Sequence, residues 1–184
     1  MARVTHVMKA RKDIPSAGIK AGESYYWWKF RYGGKHYSKT PPKRSQLTQS
    51  AFYSAVYDLQ DQIGGASPDE SLRDLRDDVV STLEDLKSEC ESNFDNIPES
   101  LQSGSSGELL QERVSALDTA IDEFSNLELD NDPEQDFDPS EHPQEEDEPD
   151  DEYENRLDNL KEEYIQQCWQ EKLEEFTSID IDAP

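Results

Sequence analysis

Tyr25, Trp27, Lys29 and Arg31 recur at every second position of the segment 24–32, and His36 and Lys39 follow beyond a Gly33-Gly34 pair. A strand has a side-chain period of two, so Tyr25, Trp27, Lys29 and Arg31 fall on one side of it. Aromatic rings give nucleobases a surface to stack on, and lysine and arginine neutralise phosphates. Tyr25, Trp27, Lys29, Arg31, His36 and Lys39 therefore read as one nucleic-acid-binding set, for DNA or RNA. The competing reading is plainer: a small two-layer domain needs many aromatics for its core, and its lysines keep it soluble.

Catalytic constellations are scarce. The three histidines, His6, His36 and His142, fall in an expected strand, a hairpin and an acidic linker. No nucleophile elbow, zinc-binding His-Glu-x-x-His or phosphate-cradling glycine loop occurs. The expectation is a non-enzymatic protein without a cofactor. Carboxylates abound, but they lie in solvated runs that do not drive two pKa values apart, as paired acid–base catalysis requires. Asp130, Asp132, Glu134, Asp136, Asp138 and Glu141 imitate the spacing of a calcium loop. Gln135 replaces its turn glycine and Pro133 interrupts it, so no metal site is expected there. Cys90 and Cys168 lack metal-ligand spacing and read as reduced thiols.

The elements that must position these residues follow from periodicity. Two strand-like runs around Gly33-Gly34 predict a β-hairpin with a two-residue turn. In that register Tyr32 faces Lys35, Phe30 faces Tyr37 and Trp28 faces Lys39, while His36 shares the Trp27 side. Arg3 to Lys9 alternates and supplies a third strand, joined through the turn-rich stretch Asp13 to Gly22. A helix over 48–63 sets Phe52, Val56, Leu59 and Ile63 on one face, and Gly64-Gly65 stops it. Ser67-Pro68-Asp69-Glu70 and Ser105…Glu108 carry the pattern of capping boxes. The first precedes a stripe of Leu72, Leu75, Val79, Leu83, Leu86 and Cys90, and the second a stripe of Leu110, Val114, Leu117, Ile121 and Phe124. Two striped helices with a short connection predict an antiparallel helical hairpin. Glu128 to Glu154 holds 15 acids, four prolines and neither Lys nor Arg, which predicts a disordered linker. Tyr153, Leu157, Leu160, Tyr164, Ile165, Cys168, Trp169, Leu173 and Phe176 then mark an amphipathic C-terminal helix. The expected fold is α+β: a basic sheet-plus-helix head over 1–64, a helical hairpin over 67–128, an acidic linker over 129–152 and a helix over 153–177.

Charge divides along the same lines. Residues 1–50 carry 11 Lys+Arg against 2 Asp+Glu, and the rest of the chain carries 7 against 41, within a net charge of -25 over 184 residues. Such asymmetry points to two surfaces with different partners. No apolar run is long enough to span a bilayer, and the basic start lacks the apolar segment of a secretory signal, so the expectation is a cytoplasmic protein with no membrane partner. Leu72, Val79, Leu110, Val114 and Trp169, on the helical stripes, are the candidate protein-interaction residues, for a foreign protein or a homo-oligomer. A rod dense in carboxylates could also act as a decoy for the phosphate charge of DNA.

Tyr26, Trp28, Phe30, Arg31, Tyr32, Gly34, Lys35 and Ser38, with the helix that follows, resemble over residues 24–63 the sheet-plus-helix arm domains that open tyrosine recombinases. That resemblance implies DNA held by strands. No recombinase catalytic region follows, so it implies no activity. The run Ser24 to Lys39 and the overall layout also resemble uncharacterised accessory proteins of tailed bacteriophages, which implies a bacterial host cell.

Overall fold

Val, Thr, Tyr and Trp favour a pleated, half-buried surface, and the segments richest in them pair as a three-stranded antiparallel sheet in the computed structural model. The order is β1 (Thr5–Val7), β2 (Tyr25–Lys29), β3 (Lys35–Ser38). The structure describes residues 1–181 and 184. The chain divides into two compact units, Met1–Asp61 and Gln62–Pro184.

In the first unit the expected third strand is present, but the hairpin register differs from the predicted one. Trp27 pairs with Tyr37, Trp28 with His36 and Lys29 with Lys35. Residues 30–34 form the connection, because Gly33 and Gly34 do not adopt the positive φ that a two-residue hairpin turn demands. Positive φ is found instead at Gly18 (63°) and Gly22 (95°), in the excursion between β1 and β2. That excursion is itself tied down: Ile14 and Ile19 form an isolated bridge, the Ala10 and Gly22 amides donate to Glu23 and Ala10 carbonyls, and the Ala21 amide donates to Asp13 Oδ1 at 2.7 Å. Helix α1 (Ala51–Ile63) buries Phe52, Val56, Leu59 and Ile63, the residues its spacing singled out. A turn of 3₁₀ helix at Arg44–Leu47 leans on it. Arg44 lies 3.9 Å over the Tyr57 ring, Ser54 donates to the Ser45 carbonyl, and the Ala2 amide donates to the Leu47 carbonyl. The remaining buried apolar side chains of this unit are Ala10, Ile19 and Trp28.

The second unit is built on α2 (Ser71–Asp95) and α4 (Ser105–Ser125), joined through the short α3 (Glu99–Gln102). They pack antiparallel: Lys87 pairs with Asp118 at 2.5 Å, and Arg76 reaches Leu127 and Asp130 near the opposite end. Leu72, Val79, Leu83, Leu86 and Cys90 meet Leu117, Ala120 and Phe124 in the buried interior. Neither predicted capping box forms. Helix α2 starts at Ser71 rather than at Pro68, with the Asp69 carboxylate accepting from the Ser71 amide at 2.9 Å, and Ser105 is the first residue inside α4 rather than its cap. The tight α3–α4 corner depends on Gly107, where a Cβ would sit 1.8 Å from the Gln102 carbonyl oxygen.

In place of the disordered linker expected over 129–152, the acidic stretch is strapped to its unit. It contains a helical turn, α5 (Pro133–Asp136), and a 3₁₀ turn at Pro139–Glu141, with Leu129 and Pro133 buried. Cations from outside the stretch hold it. Arg73 donates to the carbonyls of Leu129 (2.8 Å) and Asn131 (3.2 Å), Lys172 donates to the carbonyl of Asn131 (2.8 Å), and Arg156 grips both oxygens of Glu148 at 2.8 Å. The last helix, α6 (Asp150–Ser178), begins three residues earlier than predicted and buries Trp169 and Phe176. Phe176 meets Phe124 edge-on at 5.2 Å.

Candidate nucleic-acid interface

Residues opposite one another in an antiparallel pair share a face. The observed register therefore puts Tyr25, Trp27 and Lys29 with Lys35 and Tyr37, and puts Tyr26 and Trp28 with His36 and Ser38. The second face carries the buried Trp28, stacked on His36 at 5.4 Å, and Tyr26, stacked on His6 at 4.3 Å. The first face is open. Tyr25, Trp27 and Tyr37 are half-buried along it and form one wall of a cavity of about 260 Å³. Lys9, Arg11, Lys12 and Lys35 complete the lining with Val7 and Ile14, and no carboxylate is among these residues.

Electrostatics sharpen the picture. Lys29 and Lys35 stand directly opposite each other on adjacent strands, an arrangement that costs stability in a sheet. Lys35 turns its ammonium over the Trp27 ring, 4.4 Å from the centroid, which eases the repulsion and leaves charge and ring face side by side. The two acids of residues 1–50 are engaged elsewhere: Asp13 accepts from the Ala21 amide, and Glu23 accepts from the Lys20 amide and pairs with Lys39 at 3.1 Å. The Lys20 amide and the Lys39 ammonium hold the Glu23 carboxyl below the usual carboxylate range. The cavity therefore offers stacking surfaces and uncompensated cations within one hollow, chemistry suited to a base and its phosphates.

The six residues singled out in the sequence are not brought together. Tyr25 and Trp27 line the cavity. Lys29 and Arg31 border a separate hollow of about 240 Å³ with Met1, Phe30 and Gln49. Lys39 is tied to Glu23, and His36 lies on the Trp28 face, contrary to the expected register. Sequence reasoning missed Lys9, Arg11, Lys12, Lys35 and Tyr37. The first three were legible as a cationic cluster following β1. The last two were assigned to the wrong face by the two-residue turn.

The candidate protein-interaction residues also separate. Leu72 and Val79 are fully buried and Trp169 is 7% exposed, with Arg73 and Lys172 flanking its ring, so all three serve the interior of their unit. Leu110 and Val114 stay half-exposed on α4. Among the described residues no group of three or more His, Cys, Asp or Glu is gathered to hold a metal, and no helix is long and apolar enough to cross a membrane. Burial raises the Cys90 thiol above its ordinary range. No family model matches the chain, and the searches of curated proteins and of solved structures return no match either.

Proposed function

We propose that this is a non-enzymatic interaction protein whose N-terminal unit binds nucleic acid through the open face of its sheet. The observation that carries this reading is the cavity walled by Tyr25, Trp27 and Tyr37 and ringed by Lys9, Arg11, Lys12 and Lys35 without an acid. Half-buried rings in a concave basic surface favour an unstacked base over a duplex, whose bases are hidden from such a wall. Single strands are therefore the preferred ligand. The acidic second unit repels nucleic acid and is the part offered to other proteins. The resemblance to recombinase arm domains, which implies DNA held by strands, points to the same part of the chain.

The test is fluorescence anisotropy of labelled single-stranded DNA, single-stranded RNA and duplex DNA with the full chain, across a salt series. Single strands are expected to bind more tightly than duplex, with affinity falling steeply as salt rises. Lys12→Glu/Lys35→Glu is expected to weaken binding at least about tenfold and to flatten the salt slope, and Trp27→Ala to cost about 1–3 kcal/mol. Undiminished binding by these variants, or no binding at about 50 mM salt, overturns the reading.

A further inference from the structure

The helical hairpin has two long sides. One is covered within its own unit: Phe176 packs on Phe124, Arg113 Nε donates to the carbonyl of Pro184 at 2.7 Å, and Ala120 is buried. The other side is open. There Phe94 from α2 and Leu110 and Val114 from α4 floor a groove of about 440 Å³, and Glu91, Asp95 and Asp118 stand on its rim. A pocket of this volume is within the range of specific binding sites. Leu110 and Val114 lie at helical spacing from the buried Leu117 on α4.

We infer that this groove docks a cationic amphipathic helix of a partner protein. Leu110 to Asp118 runs about 12 Å along α4, some two helical turns, so a short helix laid across α2 and α4 spans it. The covered side shows how this pair accepts a third helix, with Phe176 of α6 against Phe124. The rim already shows which charge it takes. Lys87, half-buried along its stem, sets its ammonium 2.5 Å from Asp118 and 4.0 Å from Glu91. Asp118, followed by Glu91, raises the pKa of that ammonium above its ordinary value. Lysines or arginines flanking an apolar anchor would find the same kind of partner at Asp95 and Glu91. A second copy fits poorly, because two such grooves facing each other would set carboxylate rims of like charge together. The inference does not depend on the head binding nucleic acid.

The experiment titrates the 184-residue chain into a labelled helix-forming peptide of leucines at i and i+4 flanked by lysines. Two control peptides carry serine for leucine and glutamate for lysine. Hydrogen exchange maps the footprint. The lysine–leucine peptide is expected to bind and to protect residues 91–95 and 110–118, with both controls at least about tenfold weaker. Val114→Glu is expected to weaken binding about tenfold, and Glu91→Lys/Asp95→Lys, which alters only exposed side chains, severalfold. Lys12→Glu/Lys35→Glu is expected to bind the peptide like the parent, which separates this inference from the nucleic-acid reading. Any of four results overturns the inference: no binding, equal binding of the serine peptide, undiminished binding by Glu91→Lys/Asp95→Lys, or a dimer in sedimentation that Val114→Glu dissociates.

Discussion

The two units use rings and cations in opposite ways. In the second unit Phe124, Phe176 and Trp169 turn inward, and the scarce cations are engaged within it: Arg73 and Lys172 on backbone carbonyls, Arg76 on Asp77 and Asp130, Arg156 on Glu148. In the first unit cations outnumber acids, and Tyr25, Trp27 and Tyr37 remain on an open face beside lysines that no carboxylate of the cavity lining neutralises. A charge in the minority becomes structural, because acceptors and opposite charges within its own unit engage it. A charge in the majority is left available for ligands.

Substitutions at adjacent positions of β2 break the comparison most directly. Trp28→Ala should destabilise the first unit by about 3–5 kcal/mol through lost burial, whereas Trp27→Ala, its neighbour on the open face, should cost no more than about 1 kcal/mol while weakening nucleic-acid binding. Urea denaturation followed by circular dichroism tests the pair. Equal losses would mean that both rings are core. Trp28→Phe should cost less than Trp28→Ala, since a ring is kept and the buried indole N–H has no acceptor among the described residues.

In the second unit, Gly107→Ala should cost about 3 kcal/mol, because the added methyl collides with a backbone oxygen rather than with a side chain that could move aside. A thermal melt unchanged from the parent would mean that the α3–α4 corner is built differently. Arg73→Met keeps much of the side chain's apolar stem but removes its donors to Leu129 and Asn131. About 2 kcal/mol of local stability should be lost, visible as faster hydrogen exchange over 129–136 with little change in the first unit.

The smallest expected effect is on proton binding. Arg156 holds the Glu148 carboxyl below its ordinary value of 4.5. A carboxyl whose folded pKa is depressed stabilises the fold above its unfolded pKa, and that contribution disappears as pH falls through the lower, folded value. The strap should therefore loosen as pH falls below the ordinary glutamate range, and Arg156→Met should return the Glu148 carboxyl to that range in a carbon-detected NMR titration. An unchanged Glu148 midpoint would show that the ion pair does not form in solution.

Much of the fold was legible locally. The α1 face, most of the α2 stripe and the C-terminal helix followed from spacing alone, since burial of one face requires that period whatever the partner is, whereas on α4 only Leu117 and Phe124 of the expected stripe are buried. The acidic stretch was misread because composition counts only the residues within a segment. Its order comes from Arg73, Lys172 and Arg156, which lie outside it or at its margin. The candidate site was half legible. Tyr25 and Trp27 were found by alternation, but Lys35 and Tyr37 depended on a register that differs by three residues from the one a two-residue turn implies.

The sequence by itself determined the α+β class, the division between a basic head and an acidic helical part, and the buried faces of α1 and most of α2. These rest on periodicity and charge, which act within a few residues. Only the tertiary structure decided which cations surround the aromatic wall, which apolar residues of the hairpin remain uncovered and how the acidic strap is held. Those outcomes depend on strand register and on contacts between residues such as Arg73 and Leu129, distant in sequence, where pairing geometry rather than local preference sets the free energy.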